Sequence, residues 1–312
     1  MQPATSDIEE IFLPELRAKE VQLFVKREDT IHPVISGNKY RKLFYNIAFA
    51  KKNGYTELLT FGGAFSNHIL ATAGAGFEFG FKTIGVIRGE ELGVDIEKTL
   101  LNNETLRRAK DYGMEFDFIS RSEYKEKANQ SYLNQVKKRY PNAFILPEGG
   151  TNEKAIEGCE EILDKHTKEF EFICCAVGTG GTISGIINSS SNKQQVIGFP
   201  ALKGDFLEDE INGNNVNKNN WKLVTDYHFG GYAKINADLI TFNNNFFKTC
   251  GVLLDPVYTG KMFYGIVDLV KKNKFAKGSK ILAIHTGGLQ GIKGMNSVLA
   301  KKKMPLLIEK NI

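Results

Sequence analysis

Residues 172–188 read FICCAVGTGGTISGIIN, and this stretch decides the fold. The apolar run Phe172 to Val177 predicts a buried strand, and the pattern Ile183 to Asn188 predicts a helix immediately after it. The turn between them is rich in glycine and consists of Gly178, Thr179, Gly180, Gly181 and Thr182. Such a turn exposes backbone N–H groups at the positive end of the helix dipole, which favours a phosphate. The alternative is a tight strand-to-helix connection without a ligand.

This turn does not match the two common nucleotide-binding motifs. No Gly-Lys-Ser/Thr follows it, so it is not a Walker A loop. Ile183 occupies the place of the third glycine of a dinucleotide fingerprint, and the next strand, Val196 to Phe199, does not end in an acidic residue. The phosphate would therefore belong to another kind of ligand.

Short apolar runs alternate with helical patterns along the rest of the chain. This is typical of an α/β protein with mostly parallel sheets, in which ligands bind where strands lead into helices. The candidate strands are Leu23 to Lys26, Glu57 to Phe61, Thr83 to Ile87, Glu115 to Ile119, Phe172 to Val177, Val196 to Phe199, Val252 to Leu254 and Lys280 to His285.

Length and composition favour a globular protein of one large domain or two. The chain has 312 residues, of which 42% are hydrophobic and 25% charged, with a net charge of +5. Its lysines are spread out, so nucleic acid is not an expected partner. No apolar run approaches the roughly 18 residues of a membrane span, and Met1 to Glu10 lacks a secretory pattern.

The four cysteines and five histidines are not arranged as metal ligands. No CxxC pair is present, which predicts reduced thiols, a cytoplasmic protein and no metal site. The Asn-rich stretch 212–220 predicts a surface loop, and the tail 301–312 predicts a last strand or a contact segment.

Lys39 lies in the run Ser36 to Lys42, at the start of a predicted helix that ends near Asn53-Gly54. Cations in a first helical turn oppose the dipole by roughly 0.3 to 1 kcal/mol each. Lys39, Arg41 and Lys42 could form an ordinary solvated basic face. Alternatively, Lys39 points into a site where the helix end, nearby cations and burial lower its pKa, which would supply a neutral amine for imine chemistry.

Three further loops with glycine or polar residues follow predicted strands. They are residues 62–68 (GGAFSNH), 255–261 (DPVYTGK) and 285–288 (HTGG). Ser66 or Asn67 could simply cap a helix, although two preceding glycines suggest close approach of the backbone to a ligand. A lysine, a phosphate loop, a tyrosine and several hydroxyls, without metal ligands or a nucleotide motif, together suggest pyridoxal phosphate.

The motifs resemble, in order, those of the fold-type-II (tryptophan-synthase-β-like) pyridoxal-phosphate enzymes. Within this group the chain is most similar to the 1-aminocyclopropane-1-carboxylate (ACC) deaminase and D-cysteine desulfhydrase family. The resemblance spans nearly the whole chain. The matching motifs are Lys26 to Asp29, Gly37 to Lys39, Gly63 to His68, residues 178–182, Leu254 to Lys261 and His285 to Gly288.

The resemblance implies a role for individual residues. Lys39 matches the lysine that bonds covalently to the cofactor, and Asn67 matches the partner of its phenolic oxygen. Ser66 matches the hydroxyl placed against the substrate carboxylate or a reacting proton, and Tyr258 matches the tyrosine at the pyridine ring. Tyr232 matches more loosely a second active-site tyrosine, since Ala233 to Ile235 replace the usual Gly-Val-Pro.

Two positions implied by the resemblance bear on the substrate. ACC deaminases usually carry Glu after the residue matching Tyr258 and Leu after the one matching His285, whereas this chain has Thr259 and Thr286. A hydroxyl instead of a carboxylate at the pyridine nitrogen weakens the electron sink. This favours β-elimination from D-cysteine over opening of a cyclopropane. His68, beside Asn67, is a third candidate for substrate specificity.

The expected enzyme therefore converts D-cysteine to pyruvate, sulfide and ammonia, with Lys39 or a tyrosinate removing the α-proton. ACC deamination to 2-oxobutanoate and another β-eliminase or racemase remain alternatives, as does a non-catalytic phosphate-ligand binding protein. The family analogy implies a large cofactor-binding domain of residues 1–44 and 148–312, a small domain of residues 45–147 and the cofactor in the cleft between them. It also implies a homodimer.

Overall fold

The computed structural model describes residues 4–309, so the predicted N-terminal segment and tail extend beyond the described residues. Two sheets organise this part of the chain. Its strands are β1 (Ile8–Ile11), β2 (Gln22–Lys26), β3 (Glu57–Gly62), β4 (Lys82–Arg88), β5 (Glu115–Ile119), β6 (Ala143–Leu146), β7 (Phe172–Val177), β8 (Gln195–Pro200), β9 (Trp221–Leu223) and β10 (Lys280–Ile284).

Helices cover both sheets. In chain order they are α1 (Pro14–Lys19), α2 (Asn38–Lys52), α3 (Asn67–Phe79), α4 (Glu91–Val94), α5 (Ile96–Asn102), α6 (Glu104–Asp111), α7 (Arg121–Lys125), α8 (Gln130–Arg139), α9 (Glu153–Glu160), α10 (Gly181–Ser189), α11 (Phe206–Gly213), α12 (Ala237–Cys250), α13 (Thr259–Lys271) and α14 (Gly291–Lys301). Short 3₁₀ turns lie at Glu28–Thr30, Glu126–Ala128, Glu148–Gly150, Lys165–Thr167 and Thr225–Tyr227.

The larger sheet has six strands in the order β1-β2-β10-β7-β8-β9. Only the pair β1 and β2 is antiparallel. Strand β7 lies between β10 and β8, and its side chains alternate between two cores: Cys174 and Ala176 pack on one face, and Ile173, Cys175 and Val177 on the other. Because both faces are covered by helices, the strand is apolar along its whole length.

The smaller sheet has four parallel strands in the order β5-β4-β3-β6. Helix α2 packs on it through Tyr40, Leu43 and Ile47, which share a core with Leu58 of β3. The predicted α/β class with two mostly parallel sheets is confirmed. Helix α2 runs without a break across residues 44 and 45, so the division into domains at that point stays a prediction.

Most of the predicted strands are present within a residue or so, and one is wrong. Residues 252–254 are buried, but they form no strand. Val252 and Leu254 fill the core under the larger sheet, and the Leu253 carbonyl bonds the His285 ring at 2.7 Å instead of joining a ladder. Strands β1, β6 and β9 were not predicted.

The two segments with unusual composition were predicted in part. Of the Asn-rich stretch, residues 214–220 form a loop, while residues 212 and 213 end helix α11. In the described part of the tail no strand forms; it is a contact segment, whose Leu307 backbone exchanges hydrogen bonds of 2.9 Å with the Asn296 side chain of helix α14. Across residues 4–309, no helix combines the length and apolar character needed to cross a membrane.

Candidate active site

One cavity lies at the carboxyl ends of the larger sheet's central strands. It is bounded by the first turn of α2, the glycine-rich turn after β7, the start of α13 and the loop after β10. Its lining comprises Asn38, Lys39, Lys42, Asn67, Gly149, residues 176–180, Thr182, Ile183, Tyr258, Thr286 and Gly287. The loops that the sequence singled out therefore meet at one place, as expected for strand ends of a parallel sheet.

Lys39 is held at this cavity by the contact between two backbones. The helix begins after Gly37, whose φ is +63°, and the Asn38 N–H donates to the Thr286 carbonyl at 3.3 Å. A Cβ at position 37 would lie 2.0 Å from that carbonyl oxygen, so only glycine allows this approach. Burial lowers the pKa of Lys39 to about 7, and the nearby Lys42 ammonium adds to the effect.

The interpretation of Arg41 and Lys42 as solvated charges is wrong. Arg41 forms a buried bidentate pair with Glu28, with nitrogen–oxygen distances of 2.8 and 2.9 Å. Lys42 is also buried, and its Nζ donates to the Gly149 carbonyl at 3.0 Å and to the Thr151 hydroxyl at 2.9 Å. Lys42 thus places a cation beside the glycine-rich turn, because its Nζ lies 3.5 Å from the Thr179 hydroxyl.

The glycine-rich turn leaves the start of helix α10 open to a ligand. Its N-cap residue, Gly180, has a φ of +78° and no side chain to occupy the free N–H groups of the helix. A Cβ on Gly181 would lie 2.6 Å from Thr151, so the turn is closely packed from outside. The Thr182 hydroxyl accepts from Asn38 Nδ2 at 2.8 Å. Free N–H groups, hydroxyls and the Lys42 cation form a site for a phosphate.

Tyr258 and Thr259 are fixed by Asp255. The Asp255 carboxylate accepts from the backbone N–H groups of Val257, Tyr258 and Thr259 at 2.8 to 2.9 Å. The Thr259 hydroxyl donates to the same carboxylate at 3.0 Å and accepts from the Asp255 N–H. Thr259 is fully buried and its hydroxyl is used in starting helix α13, whereas Tyr258 reaches the cavity.

Two tyrosines meet beside the cavity. The rings of Tyr232 and Tyr258 are edge to face, with centroids 6.2 Å apart. Burial raises the pKa of Tyr258 well above its ordinary value, and Tyr232 adds to the rise. Tyr232 is 47% exposed, so it stands at the opening and not in the lining.

The loop after β3 places neighbouring residues in different surroundings. Ser66 is the N-cap of α3, accepting from the Ile69 N–H at 3.4 Å, and Asn67 lines the cavity. His68 is buried, and neither ring nitrogen has a hydrogen-bond partner within residues 4–309. Burial lowers the pKa of His68 well below its ordinary value, with Lys39 and Lys42 adding to the effect, so this ring is neutral.

The predicted site residues are thus divided between the cavity and its surroundings. Lys39, Asn67, Gly178, Thr179, Gly180, Thr182, Tyr258 and Thr286 line it; Gly181 begins the helix behind it; and Ser66, His68, Tyr232 and Thr259 lie next to lining residues. The sequence reasoning missed Asn38, Lys42, Gly149 and Thr151. The Gly149-Gly150 pair after the unpredicted strand β6 was the available signal for the last two.

A comparison with protein families identifies the group to which this geometry belongs. A family model described as "pyridoxal-phosphate dependent enzyme" matches residues 10–287. The chain belongs to this family. The resemblance found in the motifs and the expected cofactor, pyridoxal phosphate, are thereby confirmed.

Several relatives within this family are similar to the chain over most of its length. The chain is 31% identical to the mitochondrial bifunctional D-cysteine desulfhydrase/1-aminocyclopropane-1-carboxylate deaminase of Arabidopsis thaliana, over 87% of this chain and 73% of that protein. It is 25% identical to the D-cysteine desulfhydrase of Klebsiella pneumoniae, over 86% and 87%. A crystal structure of an ACC deaminase homologue superposes with a TM-score of 0.78 at 29% identity, covering 96% and 94% of the two chains.

The cavity fits pyridoxal phosphate on structural grounds. The open helix start at Gly180 and the Lys42 ammonium would hold the phosphate, and Asn67, Tyr258 and Thr286 surround the space between it and Lys39. The lowered pKa of Lys39 leaves a large neutral fraction near pH 7, as bonding to an aldehyde requires. In residues 4–309, no three His, Cys, Asp or Glu side chains converge as metal ligands.

The proximity of Lys42 to Lys39 predicts a pH effect in the cofactor-free protein. Only the neutral amine reacts with an aldehyde, so the rate of cofactor attachment should rise with pH and reach half its maximum near pH 7. In a Lys42→Met variant the pKa of Lys39 rises, because a neighbouring cation is lost, and the midpoint moves to higher pH. Stopped-flow absorbance measures this rate, and Lys52→Met, an exposed change on the same helix, is the control. An unchanged midpoint in Lys42→Met would show that the two ammonium groups do not interact.

Proposed function

We propose that the protein is a D-cysteine desulfhydrase: with water, D-cysteine is converted to pyruvate, ammonium and hydrogen sulfide. The observation that carries the proposal is the lining of the cavity. Among the described residues, no Asp or Glu side chain lines it, and a hydroxyl, that of Thr286, is present. Without a carboxylate to keep the pyridine nitrogen protonated, elimination of a good leaving group is favoured over opening of a carbon ring.

When bound, pyridoxal phosphate supplies the electron sink that stabilises negative charge at the substrate's α-carbon. We infer that Lys39 is the base that takes the α-proton. Its pKa near 7 provides a neutral amine, whereas the raised pKa of Tyr258 keeps that hydroxyl protonated. The carboxylates of Asp255 and Glu148 oppose ionisation of Tyr258 further, which argues against a tyrosinate base.

The other chain residues would bind and orient the substrate. Ser66, at the N-terminus of α3, would receive the substrate carboxylate, since the positive end of a helix favours an anion. Asn67 would hold the cofactor's phenolic oxygen, and Tyr258 and Tyr232 would confine the leaving thiol from the open side. The geometry supports these roles, because the four residues lie around or beside one cavity.

Two of the proposed specificity residues act from behind the lining. The Thr259 hydroxyl is already bonded to Asp255, so we propose that it sets the place of Tyr258 and does not contact the ring nitrogen directly. His68 packs against Gly150, where an added Cβ would be 2.6 Å from the ring. We propose that this neutral ring shapes the Gly149-Gly150 turn at the edge of the cavity.

A substrate comparison tests the proposal. The cofactor-loaded protein is given D-cysteine, L-cysteine, D-serine or ACC, and sulfide and keto acid are measured. We expect sulfide and pyruvate in equal amounts, fastest from D-cysteine. Formation of 2-oxobutanoate from ACC without sulfide production would instead assign a deaminase, an activity named in the Arabidopsis relative. Protein that stays colourless with pyridoxal phosphate would indicate a phosphate-ligand binding protein.

The remaining proposals concern assembly and location. We propose a homodimer in the cytoplasm, with residues 45–147 as a small domain that closes over the cofactor and excludes water. Four free cysteines, three of them buried, are compatible with a reducing compartment. Light scattering of the purified protein tests the dimer, since a monomer mass at micromolar concentration would exclude it.

A further inference from the structure

A further buried lysine, besides Lys39 and Lys42, lies close to the site but outside its lining. Lys261, in helix α13, is 1% exposed. Its Nζ donates to two backbone carbonyls, that of Gly231 at 2.8 Å and that of His228 at 2.9 Å, and lies 3.5 Å from the Ala201 carbonyl. Within residues 4–309 it forms no ion pair with a carboxylate.

Burying this ammonium is unfavourable, because a charge loses its hydration. Burial accordingly lowers the pKa of Lys261 to about 8, although Asp255 opposes the shift. An apolar side chain of similar length would fill the same space without that cost. Hydrogen bonds from a charged donor to carbonyls are, however, stronger than those between neutral groups. The hydrogen bonds to these carbonyls are therefore what offsets the cost of burying the Lys261 charge.

Those carbonyls belong to a loop with an unfavourable backbone. In residues 228–234, the φ angles of Phe229 and Ala233 are +53° and +55°, and those of Gly230 and Gly231 are +94° and +114°. Positive φ is unfavourable for the two residues that carry a Cβ. The loop has only short-range backbone bonds of its own, including the Gly231 N–H to the His228 carbonyl at 3.0 Å. Contacts with helix α13 add to these bonds: the Phe229 ring packs against Tyr264 with centroids 5.0 Å apart, and the Lys261 ammonium binds the backbone on either side of that ring.

This loop carries Tyr232, and Lys261 connects it to the element that carries Tyr258. Tyr258 is the N-cap of α13, three residues before Lys261. Tyr232 is about half-exposed, so packing of its ring alone does not fix its position. The Lys261 ammonium thus connects the helix that begins after Tyr258 with the loop that carries Tyr232.

We propose that Lys261 is a positioning residue that holds the 228–234 loop, and with it Tyr232, against Tyr258 through hydrogen bonds to the carbonyls of His228 and Gly231. The tethering itself is independent of the reaction. Its consequence for turnover rests on the proposed function, in which Tyr232 confines the substrate.

Hydrogen exchange in the cofactor-free protein tests the tether. Lys261→Met removes the charge and its donors but keeps an unbranched apolar chain. We expect amides of residues 229–234 to exchange roughly tenfold faster, or more, because hydrogen bonds to a charged group are lost. Lys271→Met, a half-exposed lysine of the same helix that pairs with Glu15, should leave these amides unchanged. Equal exchange in the Lys261→Met variant and the natural protein would overturn the proposal.

A double-variant comparison tests the effect on turnover. Lys261→Met should lower kcat/KM for D-cysteine about tenfold while the absorbance of the lysine-bound cofactor is unchanged. In a Tyr232→Phe background the same change should cost less than about twofold, because residues that act through one another are not additive. Independent, multiplying losses would show that Lys261 acts by another route, and would overturn its role in positioning Tyr232.

A second variant is used if the first does not fold. Hydrogen exchange tests the tether, and turnover of D-cysteine tests the proposed function, so failure of one can be told from failure of the other. If Lys261→Met is not recovered as folded protein, Lys261→Leu, which also removes the charge and all donors, replaces it in both experiments with the same criteria. If D-cysteine is not a substrate, the proposed function fails, but hydrogen exchange still decides the tether. If exchange is unchanged while D-cysteine is converted, only the tether fails.

Discussion

Replacing Lys39 with alanine is expected to remove the visible absorbance of the lysine-bound cofactor and to lower kcat for D-cysteine by at least about a thousandfold. Two functions depend on this amine: covalent attachment of the cofactor and removal of the α-proton. Among the described residues Lys42 also lines the cavity, but its ammonium is bonded to the Gly149 carbonyl and the Thr151 hydroxyl, so we do not expect it to replace Lys39. Absorbance spectra and sulfide release measure the two effects.

The matched control is Lys52→Ala, an exposed change at the last residue of the same helix. It should retain both the spectrum and the turnover within about twofold. The Lys39→Ala variant should still bind the cofactor non-covalently through its phosphate, since Lys42 and the turn at Gly180 are unchanged. Turnover by Lys39→Ala at the natural rate would contradict the assignment.

Replacing Gly37 with alanine is expected to lower the free energy of unfolding by about 2 to 4 kcal/mol and to reduce turnover roughly a hundredfold. The new Cβ would lie 2.0 Å from the Thr286 carbonyl oxygen, and both groups are backbone, so neither can move aside alone. The loop after β10 and the first turn of α2 would separate, which moves Lys39 and Thr286 apart. Urea unfolding and sulfide release measure the two losses.

Gly54→Ala separates the two causes of this effect. Gly54 also has a positive φ, of +74°, but an added Cβ would meet nothing within 4 Å. This variant should lose only about 1 kcal/mol, the cost of the left-handed backbone for a residue with a Cβ, and should keep its turnover. If Gly37→Ala behaves like Gly54→Ala, the contact between the two backbones does not position Lys39.

The elements that could be predicted from the sequence are those whose pattern is local. Strand β7 is a continuous apolar run, and its position between two parallel strands, with both faces covered, explains this feature. The strand β9, with three residues, is too short to give a periodic signal. Residues 252–254 have the composition of a strand, but the Leu253 carbonyl binds the His285 ring instead of a neighbouring strand. Only the tertiary structure reveals this partner.

The roles of the three first-turn cations could not be read from their charge. Arg41 and Lys42 are as polar as any surface residue. The partner of Arg41 is Glu28, 13 residues away, and those of Lys42 are Gly149 and Thr151, 107 and 109 residues away. Lys39 could be singled out because the family resemblance indicated which lysine bonds to the cofactor. The helix pattern alone did not distinguish it from Arg41 and Lys42. The burial of Lys261 could not be predicted either, because its partners are backbone carbonyls, which every residue carries.

Reduction of the cofactor-loaded protein with borohydride, followed by peptide mass spectrometry, tests the central claim most directly. Reduction makes the bond between cofactor and lysine permanent, so the modified residue can be located. Two buried lysines besides Lys39, namely Lys42 in the lining and Lys261 outside it, provide a strict test, because they also have lowered pKa values. We expect one cofactor per chain, attached at Lys39. Attachment at Lys42 or Lys261, or no attachment at all, would contradict the claim.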